Sequence, residues 1–512
     1  MADDTGKKSL FRPTLIVAGL TSLSRVVGLI RDILISNVLG VSYITDIFIV
    51  ALRIPNIFRR ITAEGAFSAA FIPIFSKKLI SNKISAIKFS EDILFMSLII
   101  MISITSVLQI FMPFFIYFIA YGFSNDPIKY DLAINFSRIT SPYILLISIS
   151  SIGIAILNSL GRYFASSLGP VIFNVVLVFI LILPINNISS MGYLLSFGVT
   201  FSGVIQFLLV FYFLSKSGYK LNLRKPENLN LINKFSTIAR PQIITGLAIQ
   251  ANIVLSGIIA SFVEGGISTL YYAERLYQLP LALFGISIGT VLLPTLSDLD
   301  IKKNLDKFNL VIRNIIKFSL IMIIPSAVGL SIISVPLISV IYEHGMFNHV
   351  NTINVSKALI AFSLGLPAFV LIKIYLPIFY SLGDTRTPLF YSIISIFINL
   401  VIALALFKPL GIIGIAISTS VSSWINLFLL IKGSKKYRIN ISTEKLYKDF
   451  FKIIFSVIIM SSYILVISDY IGYLHIISQL LILVFSGAFI YFLILFVLGV
   501  LNKNDIINFV KN

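Results

Sequence analysis

Fourteen apolar runs, each long enough for roughly 20 helical residues, fill most of this 512-residue chain. They centre on residues 13–36, 43–76, 90–118, 131–158, 164–184, 190–215, 234–262, 267–296, 308–341, 352–381, 387–407, 411–431, 449–468 and 473–500. In lipid every backbone polar group must be satisfied internally, so such runs fold as membrane-spanning helices. With 57% hydrophobic and 12% charged residues and a mean hydropathy of +0.99, the composition is that of a polytopic membrane protein. The fold class expected is an all-α membrane protein of fourteen transmembrane helices.

Charge tests that count, because successive connections must lie on opposite sides of the membrane. One set of connections collects the basic residues of 7–12, 77–88, 216–234, 302–317, 432–452 and 503–511, with Arg162 and Arg386. The other set holds only Lys129 and Lys408. Basic connections stay cytoplasmic, so both termini are expected inside. The net charge of +19 is thereby accounted for without a basic amphipathic face, and no nucleic-acid partner is expected. The basic N-terminus precedes a run that contains Arg25 and Arg31 and lacks a small-residue cleavage pattern, so it reads as a retained first span. The absence of cysteine excludes disulfides and thiolate metal sites.

The chain also repeats itself. Residues 53–78 resemble 277–303, with Pro55 and Pro73 answering Pro280 and Pro294. Residues 141–170 resemble 366–388, with Pro142 answering Pro367 and Asn-Ser-Leu-Gly at 158–161 answering Tyr-Ser-Leu-Gly at 380–383. Offsets of about 220 residues and a shared orientation describe a parallel repeat. The organisation expected is two pseudo-symmetric six-helix lobes, 1–220 and 221–440, followed by two C-terminal helices in 441–512.

Within the first two spans lie Arg25, Arg31, Asp32, Asp46, Arg53, Arg59, Arg60 and Glu64. A charge at bilayer depth costs on the order of 2.5–3.5 kcal/mol on insertion scales, which makes this stretch a functional-site candidate. Arg275 adds a cation from the second lobe. Arginine is permanently charged and presents a planar fork suited to phosphate or carboxylate oxygens, so a cavity lined by Arg25, Arg31, Arg59 and Arg275 expects an anion. At about 100° per residue, Asp46, Arg53, Arg60 and Glu64 share one stripe and Arg59 lies off it. Arg53 and Arg60 therefore read as snorkelling, or paired with Asp46 and Glu64. A kink at Pro55 is expected to turn Arg59 inward. In the first span Ser24 shares a face with Arg31, and Arg25 with Asp32.

The segments SRVVGLIRD (24–32), TDIFIVALRIPNIFRRITAEGAFSAAFIP (45–73), YYAERLYQLPLALFGISIGTVLLPTLS (271–297) and SLGDTRTP (381–388) resemble the lipid II flippases of the MurJ (MviN) family, within the multidrug/oligosaccharidyl-lipid/polysaccharide exporter superfamily. The resemblance implies translocation of the undecaprenyl-pyrophosphate-linked peptidoglycan precursor across the bacterial inner membrane by alternating access. Position by position, it implies that Arg25, Arg31, Arg59 and Arg275 are central-cavity residues, with Ser24 beside them. Asp46 then answers the family's gate-region acid, Glu64 a cavity acid, and Asp32 belongs to the first-helix motif. The last two helices are implied to form a groove for the lipid tail. The expected partners are lipid II and membrane lipids, with cell-wall synthesis proteins as further candidates and a monomer sufficient for activity.

Some members of the family carry a sodium site of acidic side chains on the seventh and eleventh helices. Here those spans offer Gln250, Asn252 and Asn399 but no mid-span carboxylate, so no metal or cofactor is expected. His344, His349 and His475 lie at span ends without metal-ligand spacing. No glycine-rich phosphate loop follows a strand, which argues against an enzyme or an ATP-driven pump. Two other readings remain: a drug or polysaccharide-lipid exporter of the same superfamily, and a non-transporting membrane scaffold. A cation exporter favours cavity carboxylates, and a scaffold has no use for several arginines in its spans.

Overall fold

The computed structural model describes residues 4–62, 66–226, 229–286, 305–437 and 444–501, with 292 and 439 between them. Glu64 and Pro294 lie outside the described residues. The described chain is helical, with no strand among these residues. Nine helical stretches in it are long and apolar enough to cross a membrane, or ten if His349–Ser363 and Leu366–Ser381, bent by 43°, count as one. The protein is thus a multi-pass membrane protein. The chain divides into two compact units, Met1–Ser268 and Thr269–Asn512.

The first unit holds α1 (Asp4–Leu39), α2 (Tyr43–Thr62), α3 (Ala66–Ser81), α4 (Lys83–Ile110), α5 (Met112–Ile119), α6 (Pro127–Thr140), α7 (Pro142–Ser159), α8 (Phe164–Leu181), α9 (Ile188–Lys216) and α10 (Leu229–Ala260). Several of the long apolar runs resolve into two helices, and proline shows why. Pro113 and Pro142 sit in the first turns of α5 and α7, where a missing N–H costs nothing but the preceding helix cannot continue. The core of this unit is a ladder of rings, Phe67, Phe71, Phe75 and Phe89, with neighbouring centroids 5.2–5.6 Å apart. Ile152, Ile156, Val210 and Leu214 of α7 and α9 close over it.

α11 (Gly266–Pro280) leads into the second unit, which continues with a π-helical turn (Leu281–Ile286), α12 (Leu305–Ile332), α13 (Ser334–Tyr342), α14 (His349–Ser363), α15 (Leu366–Ser381), α16 (Arg386–Leu410), α17 (Ile412–Ser434), α18 (Glu444–Tyr470) and α19 (Ile476–Val497). Here the core joins α12, α15, α18 and α19. Three polar contacts fasten this C-terminal pair. Lys317 Nζ lies 2.9 Å from Asp449, the Tyr491 hydroxyl donates to the Ile321 carbonyl at 2.6 Å, and Lys452 donates to the Leu498 carbonyl at 2.8 Å. Ile464 packs where Gly487 leaves room for it.

The repeat seen in the sequence has a counterpart in hydrogen bonds. α7 and α15 each begin with proline in the first turn and end on a glycine with φ near +73°, Gly161 and Gly383. After Gly161 the Arg162 amide reaches back to the Leu157 carbonyl at 2.9 Å, and after Gly383 the Asp384 amide reaches the Phe379 carbonyl at 3.0 Å. Both are helix ends of the Schellman type. Each turn is then tied to the end of the second helix further along. Arg162 donates to Ser217 Oγ at 2.6 Å, and Asp384 accepts from the Tyr437 hydroxyl at 2.6 Å while also bonding the Thr387 amide. Burial pushes the Asp384 carboxyl up, but these bonds and nearby Lys436 outweigh it and hold the group below its ordinary range. A β-carbon at 161 or 383 would meet no atom within 4 Å, so alanine there tests backbone conformation alone. Gly383→Ala is expected to cost about 1 kcal/mol in thermal unfolding. A cost near zero would mean that the turn readily adopts another shape.

Candidate functional site

The charges of α1 and α2 are held in two different ways. On α1, consecutive residues point about 100° apart, yet the Arg31 side chain curls back to its neighbour. Its Nε and Nη2 donate to Asp32 Oδ1 at 3.0 and 2.6 Å. Nη1 donates to Asn174 Oδ1 of α8 at 2.8 Å, and the Phe173 ring lies 5.9 Å from the guanidinium carbon. The Asn174 amide in turn donates to the Ser24 carbonyl at 3.0 Å and to its hydroxyl at 3.4 Å. Gly28 makes room for this, since a β-carbon there would come 3.2 Å from Asn174 Nδ2. Arg31 and Asp32 are 9% and 3% exposed, so the structure buries them as a neutral pair. Arg25, six residues earlier, is exposed. The sequence reading put Ser24 with Arg31 but set Asp32 on a face with Arg25, whereas Asp32 accepts from Arg31, and it missed Asn174. Its one signal is a polar side chain in the otherwise apolar body of α8.

On α2 the acid comes first. Asp46 is fully buried, and its two oxygens accept from the Gly265 and Ser268 amides, each at 2.8 Å. Those amides stand at the start of α11, where unpaired N–H groups and the helix dipole favour an anion. Lys129 Nζ, itself buried, lies 3.8 Å from Asp46 Oδ2 and 4.3 Å from the Phe123 ring centre. Lys129 is one of the two bases that the charge count left on the outer side, and here it faces a carboxylate. Nearby, the Gly122 amide donates to Ser261 Oγ at 2.8 Å, and Gly122 lies against the Ser261–Phe262 backbone with no space for a side chain. Further along α2, the Arg53 guanidinium lies against Gly257 of α10, and Arg60 Nη1 donates to Gln250 Oε1 at 3.2 Å. Arg59 is half-buried and lies off this stripe.

In the second unit, Arg275 lies over the Tyr271 ring, 4.6 Å from its centre, and donates to the Tyr271 hydroxyl at 3.2 Å. Beside it on α11, Tyr272 is fully buried against Tyr342 and Phe347, which anchors the helix next to the half-buried Arg275. At the α13–α14 turn, Glu343 accepts from Thr352 Oγ1 at 2.7 Å and pairs with His349 Nδ1 at 3.1 Å. Burial raises the Glu343 carboxyl, but bonds from Thr352, Ser339 and His349 prevail and lower it. Among the described residues no group of three or more histidines and carboxylates forms a metal-binding cluster.

Cationic and anionic side chains fixed inside long apolar helices suit the handling of an anionic group at membrane depth, and comparison with known proteins gives the class. The family model for lipid II flippase MurJ matches residues 35–504. The chain belongs to the MurJ lipid II flippase family. This is a family of transporters, not of enzymes. The probable lipid II flippase MurJ of Rickettsia prowazekii (strain Madrid E) is 37% identical over 428 residues, which cover 84% of each chain. The corresponding protein of Rhizobium meliloti (strain 1021) is 36% identical over 427 residues, 82% of this chain and 80% of the relative. A solved structure of lipid II flippase MurJ in an inward closed conformation superposes with a TM-score of 0.80 at 28% identity, covering 94% of this chain and 98% of that one. An inward-facing multidrug resistance transporter of the MATE family, of the MOP superfamily, shares the fold, with a TM-score of 0.69 at 15% identity over 85% of this chain and 99% of that one.

Proposed function

We propose that this protein moves lipid II, or a closely related polyprenyl-pyrophosphate-linked precursor, from the cytoplasmic to the outer leaflet of the bacterial inner membrane by alternating access. The observation that carries this reading is the match to the MurJ family model over residues 35–504, nearly the whole chain. Fourteen spans with both termini cytoplasmic fit the charge asymmetry, and the division into lobes 1–220 and 221–440 with a C-terminal pair in 441–512 fits the repeat. In this reading Arg25, Arg59 and Arg275 bind the pyrophosphate and its sugars. Arg31, with Ser24, shapes the same wall through its bond to Asn174. Asp32, Asp46 and Glu64 balance charge or act at a gate. The polyprenyl tail stays in lipid or along the last two helices, membrane lipids are the surrounding solvent, and a monomer suffices. Cell-wall synthesis proteins are the class of protein partner that such a precursor would bring near.

The test is complementation of a strain depleted of its own lipid II flippase, with outer-leaflet lipid II as the readout. Restored growth and restored outer-leaflet lipid II are expected. A chain that reaches the membrane in normal amount and restores neither would overturn the assignment.

A further inference from the structure

The charged stripe of α2 has a partner that its own sequence does not disclose. Asp46, Arg53 and Arg60 recur every seven residues, two turns of helix apart, and so line one face. Opposite them, in descending order, stand the Gly265 and Ser268 amides, Gly257 and Gln250. Each step of seven up α2 is met by a step of about seven down α10 and the turn that follows it, which is antiparallel pairing in a single register. All of these residues belong to the first unit. Near the other end of α10, Phe235 meets Phe67 of α3 edge-on, with ring centres 5.2 Å apart.

Each cation in this seam is accommodated by a different device. The Arg53 guanidinium fills the volume that a β-carbon at 257 would need, so even alanine there would displace it. Arg60 finds a neutral acceptor, the Gln250 side-chain oxygen, and Gln250 is itself 8% exposed. An absent side chain and an amide, spaced to match two arginines, specify register in a way that aliphatic packing does not. A slip by one residue would drive Arg53 into a side chain and leave Gln250 without Arg60.

We propose that Gly257 and Gln250 are positioning residues for transport: they seat Arg53 and Arg60 and so hold α10 in one register on α2. The proposal takes transport from the reading above and adds which residues set the geometry of the α2 wall. It gives α2 two faces with different tasks, the seam and the flank that carries Arg59.

Double-mutant analysis separates this from a generic need for glycine at a helix contact. Gly257→Val should lower outer-leaflet lipid II by roughly tenfold, within the range of an overpacked site. If that loss passes through Arg53, the Gly257→Val/Arg53→Ala double variant should be no worse than Arg53→Ala alone. Losses that multiply, or a silent Gly257→Val, would overturn the proposal. Gln250→Leu should impair flipping and Gln250→Glu should preserve it, and equal loss from both counts against the assignment of Gln250. Because the chain has no cysteine, register can be read without transport. Phe67→Cys/Phe235→Cys should be joined by a short bifunctional thiol reagent in native membranes, and Gly257→Ala added to that pair should lower the yield. An unchanged yield would refute the register role even if Gly257→Val fails to accumulate. A wild-type chain that fails complementation would instead undo the transport reading and leave the cross-linking result standing.

Discussion

Arg25→Ala is expected to abolish flipping while leaving the protein folded in the membrane, and Arg275→Ala to do the same. Arg25 is exposed on α1, so its removal does not break a buried pair of the kind that Arg31 makes with Asp32, and Arg275 is half-buried beside Tyr271. The cost should therefore fall on the substrate. A hydrogen bond from a charged group is worth about 1.5–3 kcal/mol. Its loss corresponds to roughly 10- to 150-fold weaker capture of a pyrophosphate. Outer-leaflet lipid II in the depleted strain should drop to background with each variant, at unchanged membrane abundance. Arg31→Ala, by contrast, should also cost about 3–5 kcal/mol of stability, because it breaks the buried pair with Asp32. Wild-type flipping by both Arg25→Ala and Arg275→Ala would remove these residues from the binding site.

Asp46→Ala is the second large effect. The substitution leaves Lys129 buried 4.3 Å from the Phe123 ring centre with its carboxylate gone, and it deprives the Gly265 and Ser268 amides of their acceptor. Breaking one member of a buried pair costs about 3–5 kcal/mol. Thermal unfolding in detergent should show that loss, with flipping lost alongside it. Asp46→Asn keeps one acceptor oxygen but turns an N–H group toward an amide donor, so it should rescue little. Lys129→Met added to Asp46→Ala removes the stranded cation and should recover part of the stability, a coupling that double-mutant analysis reads directly. A destabilisation below about 1 kcal/mol for Asp46→Ala would mean that water replaces the carboxylate at no cost, and the buried pair would lose its structural weight.

Much of the architecture is legible in the sequence because membranes impose simple length and charge rules. Among the described residues the apolar runs are helical, and prolines such as Pro113 and Pro142 mark where a run becomes two. The repeat is legible because glycine at a left-handed helix end leaves a mark, Leu-Gly at 160–161 and again at 382–383, that survives wide divergence of the surrounding apolar residues. The candidate site is legible only by half. Helical periodicity puts Asp46, Arg53 and Arg60 on one stripe, but choosing their partners requires tertiary contact. Gly257 and Gln250 are unremarkable in isolation, Asn174 is a lone polar residue in an apolar helix, and Lys129 registers only as an exception to the charge rule. Arg53 and Arg60, read from sequence as snorkelling or paired with acids, also lie against a glycine and an amide of α10, contacts that the sequence did not disclose. Glu64 falls outside the described residues, so its place in the stripe stays with the sequence.

The two glycine-ended turns bear on how such a chain could be rebuilt. In the first unit the residue after the glycine is the donor, Arg162 to Ser217, and in the second it is the acceptor, Asp384 from Tyr437. The brace is the same, but its chemical polarity is reversed. A chimera that copies only the turn from one half into the other would set Arg162 against a tyrosine hydroxyl or Asp384 against a serine; a hydroxyl both donates and accepts, so what such a swap changes is the reach of the brace, short at Ser217 and long at Tyr437. Each turn is therefore fitted in length to the distant helix end that answers it, and the two are expected to transfer together.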